Sequence, residues 1–459
     1  MKAKIHGILK NTLSHCFEQG ELKKTTFPNY VIEVPKNSDH GHFASNLPMI
    51  LASSQKRNPR EIASIILDNL GLQIKILGES IWARLKQKSD PGYAFPENGY
   101  HGEYILDLAD TISQETDLNP EDPHKAIDHC AEAGKAIMLK DIQQALDRFR
   151  VNFDIWSLES DLHASGLLEK TLETIRNRGY LYDQEGALWI KTSEFGDDKD
   201  RVIRKGDGQF TYFASDIAYH LEKHRRGFTK AINIWGADHH GYVPRVKAAL
   251  ISHDIPETWL SVLLIQLVKL WQDGKEVRMS KRAGSFVTLQ ELLDEVGVDA
   301  ARFVFLTKSH DSPLDVDMDL VKKQDSDNPV YYVQYAHARI CSIIRKAESE
   351  GIVVPDRHDG ISKCLVLEEE MALIRTMWEF PSLLEDICKT LEAHRLTYYL
   401  THLAASFHRY FNMGSKNGDL RVVTEDKTLT RARLILVSGV KIIIANGLKL
   451  LGVSAPEKM

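Results

Sequence analysis

The sequence predicts an α/β chain joined to an all-α one: a small N-terminal α/β module over residues 1–71, an α/β domain on an open parallel sheet over 72–325, and a helical bundle over 326–459. Three observations predict it. From about residue 210, short apolar strand-like runs alternate with amphipathic ones, the order that lays parallel strands side by side with helices between them. From Asn328 onward the apolar residues keep helical spacing, which makes a bundle. At 459 residues the chain is too long for one core, and about three domains are expected.

Taken in order, Tyr30-Val31-Ile32-Glu33-Val34-Pro35 has the make-up of a strand, and Asp39 to Asn46 reads as a turn into an apolar helix from Leu47 to Ser53. Asn58, Pro59 and Glu61 stand as N-cap, N1 proline and N3 glutamate of a helix whose face is Ile62, Ile65, Ile66 and Leu70; Gly71 ends it. A second helical pattern, Leu72 to Arg84, follows without a linker. Pro91, Gly92, Pro96, Gly99 and Gly102 punctuate a loop. Helices are then expected over about 104–118, 124–148 and 159–178, and a strand over Gly186 to Lys191.

The segment Phe210 to Asp216 opens a helix that runs to about His224. Ala231 to Gly236 reads as a short buried strand, and Ala237 to Tyr242 turns from its end into a helix containing Val246 to Ile251. Leu260 to Lys269 reads as one further strand, and Thr288 to Glu291 has capping-box spacing. In such an open sheet ligands lie at the carboxyl ends of the strands, where the polar turns at Asp238 and Lys281 are expected. Helices over about 328–349, 367–390, 394–412 and 428–451 complete the bundle.

The composition, 43% hydrophobic and 27% charged, is that of an ordinary soluble globular protein. The five cysteines lie far apart without a Cys-X-X-Cys pair, which argues against a zinc ribbon or disulfide framework and for a reducing cytoplasm. No run of 18 apolar residues occurs, and the N-terminus enters an amphipathic pattern, so neither export nor a membrane span is expected. Net charge is −6. From Tyr331 onward 17 Lys and Arg face 15 Asp and Glu, a balance of +2 that leaves −8 for the rest, so a polyanion would be met by local patches near the C-terminus.

The stretch around which these elements are arranged is Val277-Arg278-Met279-Ser280-Lys281-Arg282-Ala283-Gly284. After a buried strand and ahead of a helix, it puts a lysine ammonium and backbone N–H groups where a triphosphate can lie. A solvated surface turn has the same composition, and only the surroundings separate the two readings. Tyr212 and Asp216, four apart, share one helical face, so a phenol and a carboxylate can meet one guanidinium; a plain helix pair is the alternative. Adjacent His239 and His240 do not converge on a metal, and no metal site is expected. A satisfied structural role is expected for His240.

Together these stretches resemble the arginyl-tRNA synthetases, a class I aminoacyl-tRNA synthetase family. The resemblance rests on Gly41 to Asn46, Gly186 to Trp189, Asp197 to Val202, Thr211-Tyr212-Phe213 with Asp216 to His220, Gly236 to Gly241, Met279 to Gly284, Asn328 to Arg339, and the C-terminal Leu448 to Val453 with Ala455 to Met459, all in the family's order. It implies an incomplete Rossmann-type class I catalytic domain, a helical anticodon-binding bundle and an N-terminal tRNA-interacting module. It also implies ligation of L-arginine to tRNA(Arg) at the expense of ATP, with Mg²⁺ carried by the ATP phosphates and water instead of a protein cage. A cytoplasmic monomer is expected.

One part departs from the family. Class I synthetases carry a His-X-Gly-His signature after the first sheet strand, and none of the 19 histidines has that spacing in that setting. Asp39-His40-Gly41-His42 is close but lies in the N-terminal module. Gln73 to Ser80 resembles a helix that follows the first half of the nucleotide-binding fold. The junction at Gly71 and Leu72 therefore reads as an in-frame absence of roughly 70 to 120 residues, at 30 or more per βαβ unit.

By the same resemblance Lys281 stabilises charge developing on the phosphates, with Ser280 and Arg278 in its loop. Tyr212 and Asp216 select arginine, with Glu159 as a weaker candidate. Gly236, Asp238, His239 and Met279 lie against ATP. From the residues themselves, Tyr331, Tyr332, Gln334, Tyr335 and Arg339 mix aromatic and basic groups on one helix: core packing alone explains half of them, and the other half can stack on anticodon-loop bases, with Arg431 and Arg433 then phosphate contacts. Three functions are weighed: an impaired arginine–tRNA ligase; a non-catalytic tRNA-binding remnant; and another class I ligase such as a cysteine-specific one. The last is disfavoured because no zinc-ligand cysteine set exists and a Tyr/Asp pair suits a cation.

Overall fold

The computed structural model describes residues 13, 22–23, 25, 28, 30, 32–33, 44–45, 47–57, 62, 73–96, 99–115, 123–206, 208, 210–277, 287–355 and 360–459. The turn at Asp39 to His42, most of the helix expected after Asn58, and the loop from Arg278 to Gly284 lie outside them. The chain forms two compact units, residues 1–147 with 278–288, and residues 148–277 with 289–459.

In the first unit, strands β1 (Ile32–Glu33) and β2 (Ala44–Ser45) pair antiparallel. Leu13, Leu22, Leu51 and Ile62 bury themselves around the helix Leu47–Gln55. Three longer helices, Gln73–Ser89, Tyr104–Glu115 and Pro123–Arg148, share a second core of Leu77, Ile81, Trp82, Ile105, Leu108, Ile112 and Cys130. Gly78 permits their close approach: a Cβ there would stand 2.4 Å from the Ile127 carbonyl oxygen.

The second unit begins with the helices Glu159–Ala164 and Leu167–Asn177. The sequence pattern runs through both, but Gly166 takes a left-handed φ of 69° and breaks it. An antiparallel meander follows, β3 (Leu181–Gln184), β4 (Ala187–Ile190) and β5 (Arg201–Arg204). Strand β6 (Ala231–Gly236) occurs at its expected bounds and pairs parallel with β7 (Leu260–Ile265).

The strand expected from Leu260 to Lys269 is two strands. The Gln266 N–H turns away to donate to the His310 carbonyl at 2.9 Å, and the chain resumes as β8 (Val268–Gln272). β8 pairs antiparallel with β9 (Lys275–Glu276) and parallel with β10 (Leu314–Asp317). β10 is missing from the sequence reading because its four residues, LDVD, are too few for a period to register.

The bundle follows its periodicity closely. Pro329–Ser349 starts at N-cap Asn328, and Lys427–Leu450 at Asp426, whose carboxylate accepts from the N–H of Thr428 and Leu429. Between them run Glu368–Trp378, Phe380–Thr390 and His394–Lys416. The pattern over 367–390 is two helices because Pro381 begins a new first turn. The core holds Leu400, Leu403, Phe407, Leu434, Val437, Val440, Ile444 and Leu448. Within it Glu370 (0% side-chain exposure) and Arg433 (4%) form an ion pair at 2.9 Å.

Candidate functional site

The site in the second unit grows from the helix Tyr212–Arg225 and the turn after β6. Thr211 fixes the helix entry: its N–H and hydroxyl donate to the carbonyls of Ile203 and Val202 on β5, at 3.0 Å each. Tyr212, the first helical residue, is 74% exposed. Asp216, one turn on, is half-buried, and its carboxylate accepts from the Tyr242 hydroxyl at 2.6 Å. Phe213, Ala214, Ile217 and Ala218 anchor the opposite face of the helix in the core.

Tyr242 ends a short 3₁₀ helix, Ala237–Tyr242, that leaves the carboxyl end of β6. Its ring lies 6.0 Å from Phe213 and 5.8 Å from Trp235, with the Arg245 guanidinium over it at 4.9 Å. Burial, and then the charge and hydrogen bond of Asp216, raise the Tyr242 phenol far above its ordinary value, so it stays a donor. Behind Asp216, His220 is buried. Its Nδ1 faces the Asp216 carbonyl at 2.7 Å and its Nε2 faces the Asn233 amide nitrogen on β6 at 2.6 Å. Burial lowers its pKa, which fits a neutral ring donating from Nδ1 and accepting at Nε2.

Gly236, Asp238 and His239 are exposed at the end of β6, with the His239 ring 6.3 Å from Trp235. A Cβ on Gly236 would meet the Asp238 carboxylate at 2.6 Å, so the glycine lets that side chain fold back over the strand end. His240, expected to be a satisfied structural residue, is exposed instead. Glu159 is exposed on the helix Glu159–Ala164, which packs on the helix carrying Tyr212 and Asp216. The structure thus joins Asp216 to the turn after β6 through Tyr242, with Tyr212 one helical turn before Asp216 and Glu159 on a neighbouring helix. Arg278, Met279, Ser280 and Lys281 lie outside the described residues.

The sequence reading assigns Tyr242 no role. It lies within the turn picked out after β6, but no spacing rule links it to Asp216, 26 positions earlier.

A second cluster lies on the bundle. Arg339 sits between the Tyr335 and Phe411 rings, 4.3 Å from each, and donates to the Tyr335 hydroxyl at 2.7 Å. It lines a cavity of about 440 Å³ with Lys346, Tyr410, Phe411 and Arg421. Tyr331 stacks on Tyr335 at 6.1 Å. Gln334 is 7% exposed, and its amide nitrogen donates to Asp299 and to the Ser454 carbonyl at 2.9 Å, pinning the C-terminal tail. Arg433 needs a correction: expected at a phosphate, it is 3% exposed and bonded to Glu370 and to the carbonyls of Asp419 and Arg421. Its position on the inward face of its helix placed it there. Arg431, two residues earlier, is exposed.

Three family models match the chain: the arginyl tRNA synthetase N-terminal domain over residues 3–81, the catalytic domain of class I (R) tRNA synthetases over 116–346, and the DALR anticodon binding domain over 333–459. An arginine–tRNA ligase of Aquifex aeolicus is 44% identical over 86% of this chain and 73% of its own length. That of Desulfosudis oleivorans is 38% identical, with both chains covered in full. Its alignment runs to 562 positions against the 459 residues here, a difference of 103. The Thermus thermophilus arginyl-tRNA synthetase structure matches over the whole of both chains with a TM-score of 0.62 at 18% identity, a likeness of fold. With three domain models in family order and a relative matched end to end, the chain belongs to the arginyl-tRNA synthetases, the class I arginine–tRNA ligases.

Proposed function

We propose that this chain keeps the arginine-selecting side of an arginine–tRNA ligase and is severely impaired in activating arginine by itself. The observation that carries this reading is the Asp216 carboxylate, held by Tyr242 one helical turn from the exposed Tyr212. A carboxylate with one oxygen occupied by a phenol keeps the other for a guanidinium N–H, and the charge-assisted bond favours arginine over neutral isosteres. Tyr212 flanks the ligand with its ring and hydroxyl, and Glu159 meets its far end.

In the reaction, the arginine carboxylate oxygen attacks the α-phosphorus of ATP; the bond to the bridging oxygen breaks, releasing pyrophosphate and leaving arginyl-adenylate. A terminal ribose hydroxyl of tRNA(Arg) then attacks the arginyl carbonyl, and AMP departs. Gly236, Asp238, His239 and Met279 are assigned to the nucleotide, and Lys281, with Ser280 and Arg278, to the charge that grows on its phosphates. By the class I resemblance, Mg²⁺ is assigned to the phosphate oxygens and water. Tyr331, Tyr335 and Arg339 are assigned to anticodon-loop bases, which stack on aromatic and guanidinium planes. Gln334, held inside the fold, is left out of that set. The impairment follows from the missing His-X-Gly-His signature.

Arginine-dependent exchange of ATP with labelled pyrophosphate, in the presence of tRNA, tests this. Exchange far below that of a full-length relative is expected; near-normal turnover refutes the impairment. A second reading, a tRNA-binding remnant without ligase activity, is favoured by the cavity at Arg339 in the bundle. It predicts tRNA binding with no response to arginine.

A further inference from the structure

Between Asp216 and Asp238 the chain carries charge of nearly one sign. Lys223, Arg225, Arg226 and Lys230 stand against Glu222 alone, a balance of +3 in a protein whose net charge is −6. Residues 224–230 are all exposed. They close the helix Tyr212–Arg225 and lead into β6, so they lie at the end of that helix away from Tyr212. At 1.5 Å per residue that is about 20 Å from it. The site built on Asp216 uses none of them.

A basic surface loop is ordinarily a solvated one, and cations in the last turn of a helix also suit its dipole. The dipole accounts for Lys223 and Arg225, and Arg225 is bonded to Glu222 besides, at 2.8 Å. It fades before Lys230, four residues past Arg226. Among the described residues neither Arg226 nor Lys230 has a carboxylate partner. The adjoining helix Leu167–Asn177 is neutral on its exposed side, with Lys170 and Arg176 against Glu169 and Glu173. Glu257, two residues before Trp259, is paired with Lys247. The hydrogen bonds of Arg225, against burial that pushes the other way, and the charges of Arg225, Arg226 and Lys170 hold the Glu222 carboxyl below its ordinary value, so these cations share one neighbourhood.

The loop is also fixed in place. Gly227 takes a left-handed φ of 87°, and its N–H donates to the His224 carbonyl at 2.9 Å. The Phe228 carbonyl accepts from the Trp259 indole N–H at 2.7 Å, and the Arg226 guanidinium lies over the half-exposed Phe228 ring at 4.9 Å. A guanidinium held on a ring by its face keeps its fork of donors for an oxyanion.

We propose that Arg226 and Lys230, with Phe228 supporting the guanidinium, form a contact surface for the phosphodiester backbone of tRNA, additional to the residues of the bundle. Phosphate oxygens suit a preorganised guanidinium and an ammonium, and they repeat along an RNA helix, so one molecule can meet this loop and the distant site together. The contact positions the RNA and reads no base. This assignment rests on tRNA as the chain's polyanion and not on the role given to Asp216.

The test uses the full chain carrying Arg226→Gln and Lys230→Gln together, with tRNA(Arg) binding read by filter assay over a range of salt. The double variant should bind about tenfold more weakly at low salt, and its plot of log affinity against log salt should lose about one to two units of slope. A tRNA for another amino acid should lose as much, because phosphates carry no sequence. The exchanged pair, Arg226→Lys with Lys230→Arg, keeps the slope, and both variants match the parent in melting temperature and in L-arginine titration. An unchanged slope in the glutamine variant, with parental tRNA binding intact, overturns this assignment alone. So does a loss confined to tRNA(Arg). A parent chain that binds no tRNA overturns it together with the tRNA reading on which it rests.

Discussion

The hydroxyl of Tyr242, on the turn leaving β6, donates to the carboxylate of Asp216, on the helix that begins at Tyr212, at 2.6 Å. This bond ties the turn after β6 to the helix and occupies one of the two carboxylate oxygens. Tyr242→Phe keeps the ring packing against Phe213 and Trp235 and removes only the donor. Loss of a hydrogen bond to a charged group costs about 1.5 to 3 kcal/mol. L-arginine affinity, read from the ligand-induced rise in melting temperature, is expected to fall about tenfold or more. An unchanged arginine response argues against a positioning role for the phenol.

The Glu370–Arg433 pair decides the stability of the bundle. Glu370 also accepts from the N–H groups of Val366 and Leu367 and from the Tyr410 hydroxyl, so one carboxylate holds a helix start to two other helices. Glu370→Ala leaves a buried guanidinium without its partner, a loss of about 3 to 5 kcal/mol. Urea denaturation measures it. A change below about 1 kcal/mol shows that solvent reaches the pair after all.

Acid stability falls to Asp197. Burial alone pushes this carboxyl up, but two hydrogen bonds from Arg201 at 2.8 Å each, hydrogen bonding with Asp198, whose N–H donates at 2.9 Å, and the Arg201 charge together outweigh it and hold the group at about 2 against an ordinary 3.8. A depressed folded value means that the unfolded chain takes up the proton first as pH falls. The stability it contributes is therefore complete above pH 4 and is lost between about pH 4 and pH 2. In Asp197→Asn that part of the stability–pH curve should flatten; an unaltered slope means that another carboxylate dominates.

On the bundle, Arg431 and Arg433 separate two kinds of arginine. Arg431→Ala removes an exposed cation, so if it touches phosphate the salt dependence of tRNA binding loses about one unit of slope with the fold intact. Arg339→Ala removes a guanidinium between two rings and should weaken tRNA binding about tenfold by nitrocellulose filter assay. Full binding by Arg339→Ala moves the RNA elsewhere.

Much of this was legible in the sequence because period and punctuation are local. β6 and the start of the Pro329–Ser349 helix came from an apolar run and an Asn-Pro cap. Elements that depend on distant partners were not. The split at Gln266 follows from a bond to His310, and β10 exists only by pairing with β8. Arg433 looks like Arg431 until Glu370, 63 positions away in sequence, is placed beside it. Tyr212 and Asp216 were found because one helical turn joins them, while Tyr242 reaches the site only through the fold.

Calorimetric titration of L-arginine into the chain and into Asp216→Asn tests the central claim most directly. The intact chain should bind arginine and prefer it to citrulline, its neutral isostere, and the asparagine variant should lose both the binding and the preference. Equal binding of arginine by the two proteins would contradict the assignment of Asp216 as the group that selects the guanidinium.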